Sequence, residues 1–147
     1  MKYLVYIFCF TVILSCNSKV EESDTKEEVS KAKVYDMYEP SEMANLMNEF
    51  YAENLKIKNE ILAGNIPKEF PTDFLKIHTA ELSNFKTRNA KFEAFSNLYI
   101  VAEQEVFNTE SNIPVQERFN NAIGVCISCH QTECTGPIPR IQKLLIK

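Results

Sequence analysis

The chain has no tryptophan, and only three glycines and six prolines among its 147 residues. So few turn formers, set among long stretches of Lys, Glu, Asn, Leu, Ile and Ala, favour helices. No segment alternates polar and apolar residues with period two for long, which argues against a sheet. There is no basic patch and no interleaving of basic with aromatic residues, and the formal net charge is −4, which excludes nucleic acid as the expected partner. No paired-carboxylate motif and no Ser-His-Asp signature stand out, so the chain is not expected to be an enzyme. Internal repeats and low-complexity tracts are absent as well. What is there is a hydrophobic fraction of 45% against 24% charged residues, enough for one packed core.

The chain opens as an export signal. Lys2 supplies the positive start, and 3–13 is continuously apolar apart from Thr11. That run is too short for an ordinary membrane anchor and fits the apolar region of a signal peptide. It ends in Ile13-Leu14-Ser15-Cys16, which resembles a bacterial lipobox. The resemblance implies cleavage before Cys16, diacylation of that cysteine and stable membrane anchoring by two acyl chains. The expected division is a signal peptide at 1–15, a flexible acidic tether at 16–37 and a helical domain at 38–147. Asn17 after the lipidated cysteine favours the outer membrane by resemblance to sorting rules. Glu21-Glu22-Ser23-Asp24 resembles a surface-export signal as much as a solvated linker. The expected location is the cell envelope, on the periplasmic face or the surface.

Four amphipathic helices are predicted in the remainder. The first opens with Ser41 as cap, carries Met43, Leu46, Met47, Phe50, Ile57 and Ile61 at helical spacing, and stops at Gly64. The second follows Pro71 and Thr72, with Phe74, Leu75, Ile77, His78 and Leu82 as its stripe. The third runs from about Asn89 to Phe107, with Phe92, Phe95, Leu98, Tyr99, Ala102 and Val106 on one face. The fourth begins near Pro114, turns Val115, Phe119, Ala122, Ile123 and Cys126 inward, and is broken by Gly136-Pro137-Ile138-Pro139 before a short basic tail. Four such helices joined by short connections imply an all-α, antiparallel four-helix bundle.

The cysteines point to a cofactor. Cys9 lies in the signal and Cys16 at its cleavage point, which leaves Cys126, Cys129 and Cys134 within nine residues. Three thiols in an oxidising compartment cannot all pair within one molecule. Cys126-Ile-Ser-Cys129-His130 is a C-x-x-C-H motif, the attachment signature of haem c. On a helix its three functional residues sit at i, i+3 and i+4, on one face. Two thiols there can add to the two vinyl groups of a porphyrin edge while the neighbouring imidazole takes the iron. Export agrees, because haem c is attached outside the cytoplasm. Two rivals use the same residues. One is a Cys3His zinc site made with Cys134, although structural zinc usually draws on two separated knuckles. The other is a thiol-disulfide pair, which usually sits at a helix N-terminus rather than late in a helix.

By helix number, size and a C-x-x-C-H motif late in the last helix, the chain from Tyr38 to Gln131 resembles the cytochrome c-prime family. The resemblance implies one covalent haem c near the end of the last helix, with Cys126 and Cys129 as thioether attachment points and His130 as proximal iron ligand. It also implies that dimers form through the first two helices. The sixth iron position divides the functions. In that family it is blocked by an apolar side chain of the first helix, admitting only small gases, or filled by a methionine from it. Met47 is the preferred distal candidate here, ahead of Met43, since it lies deeper in the helix with Leu46 and Phe50; both are equally plausible as core fillers. His78 is a further candidate ligand, its alternative being a satisfied core histidine, and Arg118, Arg140 and Lys143 are candidate partners of haem propionates, their alternative being simple exposure. The expected function is electron transfer by a membrane-anchored cytochrome with an unidentified redox partner protein, alternatively NO or CO binding at an open distal site. Loss of 1–15 would remove only Lys2 among the charged residues, leaving 15 Lys and Arg against 20 Asp and Glu. Such an acidic surface steers basic partners.

Overall fold

In the computed structural model the described residues are 39–83 and 85–147. The expected signal peptide, Cys16 and the whole of the expected tether lie outside them. Among the described residues the fold is all-helical, with no strand. No described helix is long and apolar enough to cross a membrane.

Helix α1 spans Glu42–Leu62. It starts where predicted, because the Ser41 hydroxyl accepts from the Ala44 N–H at 3.2 Å. Glu42 in the first turn accepts from the Glu81 N–H at 2.7 Å, and the Met43 N–H donates to the Glu81 carbonyl at 2.9 Å. It also ends where predicted. Gly64 adopts φ +83°, its N–H reaches the Ile61 carbonyl, and the Asn65 N–H reaches that of Glu60. That bond pair is a Schellman closure, which needs a left-handed residue at this point. Met43, Leu46, Phe50, Asn54, Ile57 and Ile61 form the buried face, at spacings of three and four.

The second expected helix is not a full one. Thr72–His78 forms a 3-10 helix of seven residues. Phe74 and Ile77 are its buried side, three residues apart, and Ala80, just past its end, is buried at the same interval. That is the repeat of a 3-10 helix, not of an α-helix. Leu75 is 43% exposed, and Leu82 falls beyond the helix.

Helix α2 spans Ala90–Val106 and is capped by Asn89, whose side chain accepts from the Phe92 N–H at 2.8 Å. Helix α3 spans Val115–Glu133 and follows Pro114 directly. The two form an antiparallel pair. At one end Arg118 of α3 donates to carbonyls at the end of α2. At the other, Lys86, just before α2, donates to the Glu133 carbonyl at the end of α3. The face that α2 buries is rotated from the predicted one. Ser96, Tyr99, Ile100, Glu103 and Val106 are buried, while Leu98 is 51% exposed.

The chain does not end in a loose tail. A short helix α4, Ile138–Ile141, and a 3-10 turn at Gln142–Leu144 carry it back along α3 and α1. The Asn120 side chain exchanges two 2.8 Å hydrogen bonds with the Ile146 backbone. Lys58 of α1 donates to the carbonyls of Lys143 and Leu145, and Leu144 and Ile146 are buried. Arg140 reaches Asn48 at 2.7 Å and lies 4.0 Å over the Tyr51 ring. Three long helices, the 3-10 segment and this returning tail enclose one apolar cluster, with Phe50, Phe74 and Tyr99 in mutual ring contact.

Arg118 is 4% exposed and donates through Nη1 to the carbonyls of Glu105, Val106 and Asn108. A guanidinium here satisfies orphan carbonyls at the end of α2 and meets the negative end of its dipole. It is therefore committed to the fold, and lies two turns, about 12 Å, along α3 from Cys126. The expectation of a simply exposed side chain at 118 is therefore not met. Arg118→Met is expected to lower stability by about 3 kcal/mol, since charged hydrogen bonds are lost and buried carbonyls are left unpaired. A reduced urea midpoint at unchanged m checks this, and an unchanged midpoint contradicts it.

Candidate haem-attachment site

Cys126, Cys129 and His130 occupy the last two turns of α3, and all three are half-buried. Cys126 and Cys129 are free thiols one turn apart, and Cys134 is free and exposed. Ser128, between the two motif cysteines, faces solvent and bonds back to the Gly124 carbonyl at 2.9 Å. The motif thus presents its chemistry-bearing residues to one side and its spacer to the other, as the i, i+3, i+4 spacing requires.

His130 is oriented by the residue that ends the helix. Cys134 is extended, and its N–H donates to the His130 carbonyl at 3.1 Å. Its own carbonyl lies 2.8 Å from His130 Nδ1. A carbonyl oxygen only accepts, so Nδ1 is the donor, and in a neutral imidazole the lone pair then lies on Nε2. This is the arrangement that fixes a metal-binding histidine, its far nitrogen free and its near nitrogen tied down. The residue type at 134 matters less than its extended backbone.

The electrostatics separate the three chemistries proposed for these cysteines. Burial pushes the Cys126 thiol far up, with the nearby Glu103 and Cys129 adding to it. Burial, aided by Glu133, pushes Cys129 up to about 11. Reactive C-x-x-C thiols need the opposite shift, which a helix N-terminus supplies and the C-terminal end of α3 does not. For zinc, three or four ligands must converge as thiolates and imidazole. Among the described residues no three His, Cys, Asp or Glu side chains are placed to hold a metal, and the Cys134 side chain is exposed. The donor set fits haem c: two neutral thiols for addition across vinyl groups, and one imidazole with its lone pair available.

The other sequence candidates are distributed as follows. Met43 is buried and Met47 half-buried, and both pack in the apolar cluster that includes Cys126, Ile127, Phe92 and Ile141. His78 is exposed on the 3-10 segment, with Nδ1 3.4 Å from the Ser96 hydroxyl. Arg140 is engaged by Asn48 and Tyr51, and Lys143 is exposed. Two clefts of about 250 and 880 Å³ open elsewhere, along α1 and around the 64–71 loop, and neither reaches the motif.

Sequence reasoning passed over Glu103. It is fully buried, and neither carboxyl oxygen has a hydrogen-bond partner. Burial raises its carboxyl from the ordinary 4.5 to about 8, with the neighbouring Tyr99 hydroxyl acting against that. The signal was available, since Glu103 stands one turn after Tyr99 and lies between Ile100 and Val106 on the same buried face.

Set against known protein families, curated proteins and solved structures, the chain matches none of them.

Proposed function

We propose that this chain is a covalent haem carrier, and specifically a membrane-anchored monohaem c-type cytochrome that transfers electrons. One observation carries the reading. An unpaired C-x-x-C-H set stands on one side of α3, and its histidine has its iron-binding nitrogen freed by the Nδ1 bond to the Cys134 carbonyl. Cys126 and Cys129 would hold the porphyrin by thioether bonds and His130 would hold the iron. When bound, the haem supplies a one-electron couple, tuned by its axial ligands. The chain's own part is to orient His130, to exclude water with the apolar cluster and to offer a sixth ligand. Met47 fills that role best: it sits at the edge of the cluster, whereas Met43 is buried in it like an ordinary core residue. In this reading the architecture is a reduced form of the antiparallel four-helix plan of cytochromes c-prime. The 3-10 segment and the returning tail would close its fourth side. Export, lipidation at Cys16 and attachment at the outer membrane complete the proposal, and a basic redox protein is the complementary partner.

Open-site gas binding is the second reading, favoured if Met47 serves only as a core filler. Expression in a host with cytochrome maturation machinery, followed by absorption spectra and peptide mass analysis, tests the whole proposal. The expected product is coloured and carries one porphyrin on the peptide containing Cys126 and Cys129. A colourless product of unmodified mass refutes it. The same sample, reduced and exposed to carbon monoxide, is expected to keep its spectrum, while Met47→Leu is expected to bind the gas. Rapid binding by the unmutated protein transfers the case to the gas-binding reading.

A further inference from the structure

One turn of α2 places an acid where packing alone favours an apolar residue. Glu103 has no exposed surface and both its carboxyl oxygens are orphaned. Tyr99, on the same face one turn earlier, is 3% exposed, and its hydroxyl accepts from Asn54 of α1 at 3.2 Å. The Asn54 amide also donates to the Phe50 carbonyl at 3.0 Å, but its own oxygen has no partner. Ala90–Val106 packs along the helix that carries Cys126, and the Glu103 carboxyl adds to the upward push on the Cys126 thiol. Helices α1 and α2 thus contribute to one buried, under-bonded polar cluster, on the face of α2 that packs against the helix carrying Cys126.

The groups that face this cluster are few. From α2 there is Tyr99, and from α3 Cys126, with Cys129 one turn beyond. From α1 there is only the neutral Asn54. The 3-10 segment brings His78, but its bond is to Ser96, two turns from Glu103 on α2. Arg118 is spent on the carbonyls of Glu105, Val106 and Asn108. The described ion pairs are Lys56–Glu53 and Lys76–Asp73, so neither engages Glu103. Burial without a cation holds the carboxyl as a neutral acid near neutrality.

We propose that Glu103 is a proton-binding site coupled to the redox state of the haem that Cys126 carries. The inference rests on the haem reading above. Glu103 keeps its proton while that group is reduced. When one electron leaves to an external one-electron acceptor, Glu103 releases the proton to solvent and becomes a carboxylate. The added positive charge nearby, in a poorly polarisable interior, is what favours the ionised form. Coupling is reciprocal: if oxidation favours loss of the proton, then raising the pH favours oxidation and lowers the reduction potential. Full coupling of one proton to one electron gives about 59 mV per tenfold change in proton concentration.

The test is a spectroelectrochemical titration of the haem-loaded chain from about pH 6 to about pH 10, a span around the raised carboxyl. The potential is expected to fall with pH, approaching that limiting slope, and Glu103→Gln is expected to be flat over the same span. A flat potential in the unmutated chain, or an equal slope in the variant, overturns the proposal. Should the variant fail to fold, the unmutated chain still decides. Its oxidised-minus-reduced infrared spectrum is expected to lose the C=O band of a protonated carboxyl, shifted by carbon-13 glutamate labelling, which separates it from haem propionates. A spectrum without that labelled band overturns the proposal. A haem-bearing chain that fails these measurements sinks this inference alone, whereas a chain with no porphyrin on Cys126 and Cys129 sinks the haem reading with it.

Discussion

A chain with Cys126→Ala and Cys129→Ala together is expected to fold and to carry no covalent porphyrin. Both positions are helical, where alanine is the most favourable residue, and both side chains are only half-buried. The lost packing is about one small side chain at each site, so stability should change by about 1 kcal/mol or less per position. The porphyrin, by contrast, should fall from full occupancy to none that survives denaturation. His130→Ala separates attachment from ligation. The thioethers remain, so the porphyrin mass persists, but the axial imidazole is gone and the spectrum changes. Cys134→Ala is the discriminating control. It keeps the backbone carbonyl that accepts from His130 Nδ1, so both porphyrin mass and spectrum should be unchanged. Under a Cys3His zinc reading the same change removes a ligand and depletes metal. Mass spectrometry, absorption spectra and metal analysis of the three variants check this. Covalent porphyrin in the double variant, or bound zinc that disappears with Cys134→Ala, defeats the haem assignment.

How much of this was legible in the sequence depended on whether the decisive contact was local. Helix α1 was readable because its cap, its stripe and its Schellman glycine all act within a few residues of one another. The C-x-x-C-H set was readable for the same reason. The 3-10 segment was misjudged because Phe74, Leu75, Ile77 and His78 satisfy a helical stripe on paper. Only the three-residue interval between Phe74 and Ile77 marks the tighter winding. On α2 the apolar run Phe92, Phe95, Leu98 suggested one face, and packing against α3 and the 3-10 segment chose another that includes Ser96 and Glu103. The tail reads from the sequence only as short and basic. Its burial depends on Lys58 and Asn120, far away in sequence, which accept no signal from local periodicity. The orientation of His130 was equally hidden, because it needs Cys134 to leave the helix in an extended conformation.

These misreadings share a cause that bears on function. The buried face of α2 holds its acid next to the motif helix, and an apolar stripe alone could not have placed it there. The same rotation turns Leu98 and Val101 outward. A face that exposes apolar residues while burying an acid spends stability on position, which is how functional sites are commonly recognised.

Stability is expected to fall as pH rises from about 4.5 toward about 8, and Glu103→Gln is expected to abolish most of that fall. The carboxyl of Glu103 titrates at about 8 in the folded chain against 4.5 ordinarily, because burial disfavours its charge. Below the ordinary value both folded and unfolded chains hold the proton, and the contribution is neutral. Between the two values the unfolded chain releases it and the folded chain does not. The folded state then binds more protons, so each further rise in pH favours unfolding. Above about pH 8 the folded chain must bury a carboxylate, and the whole penalty, on the order of 5 kcal/mol, is present. An amide at 103 is neutral throughout, so the variant should be less stable than, or equal to, the parent in acid and more stable in base, with the curves crossing between. Urea unfolding at about five pH values across this span measures both curves. Parallel curves would mean that Glu103 is ionised or solvated in the native state. That result would remove the neutral acid on which the redox-linked proton depends, while leaving the attachment of a haem at Cys126 and Cys129 untouched.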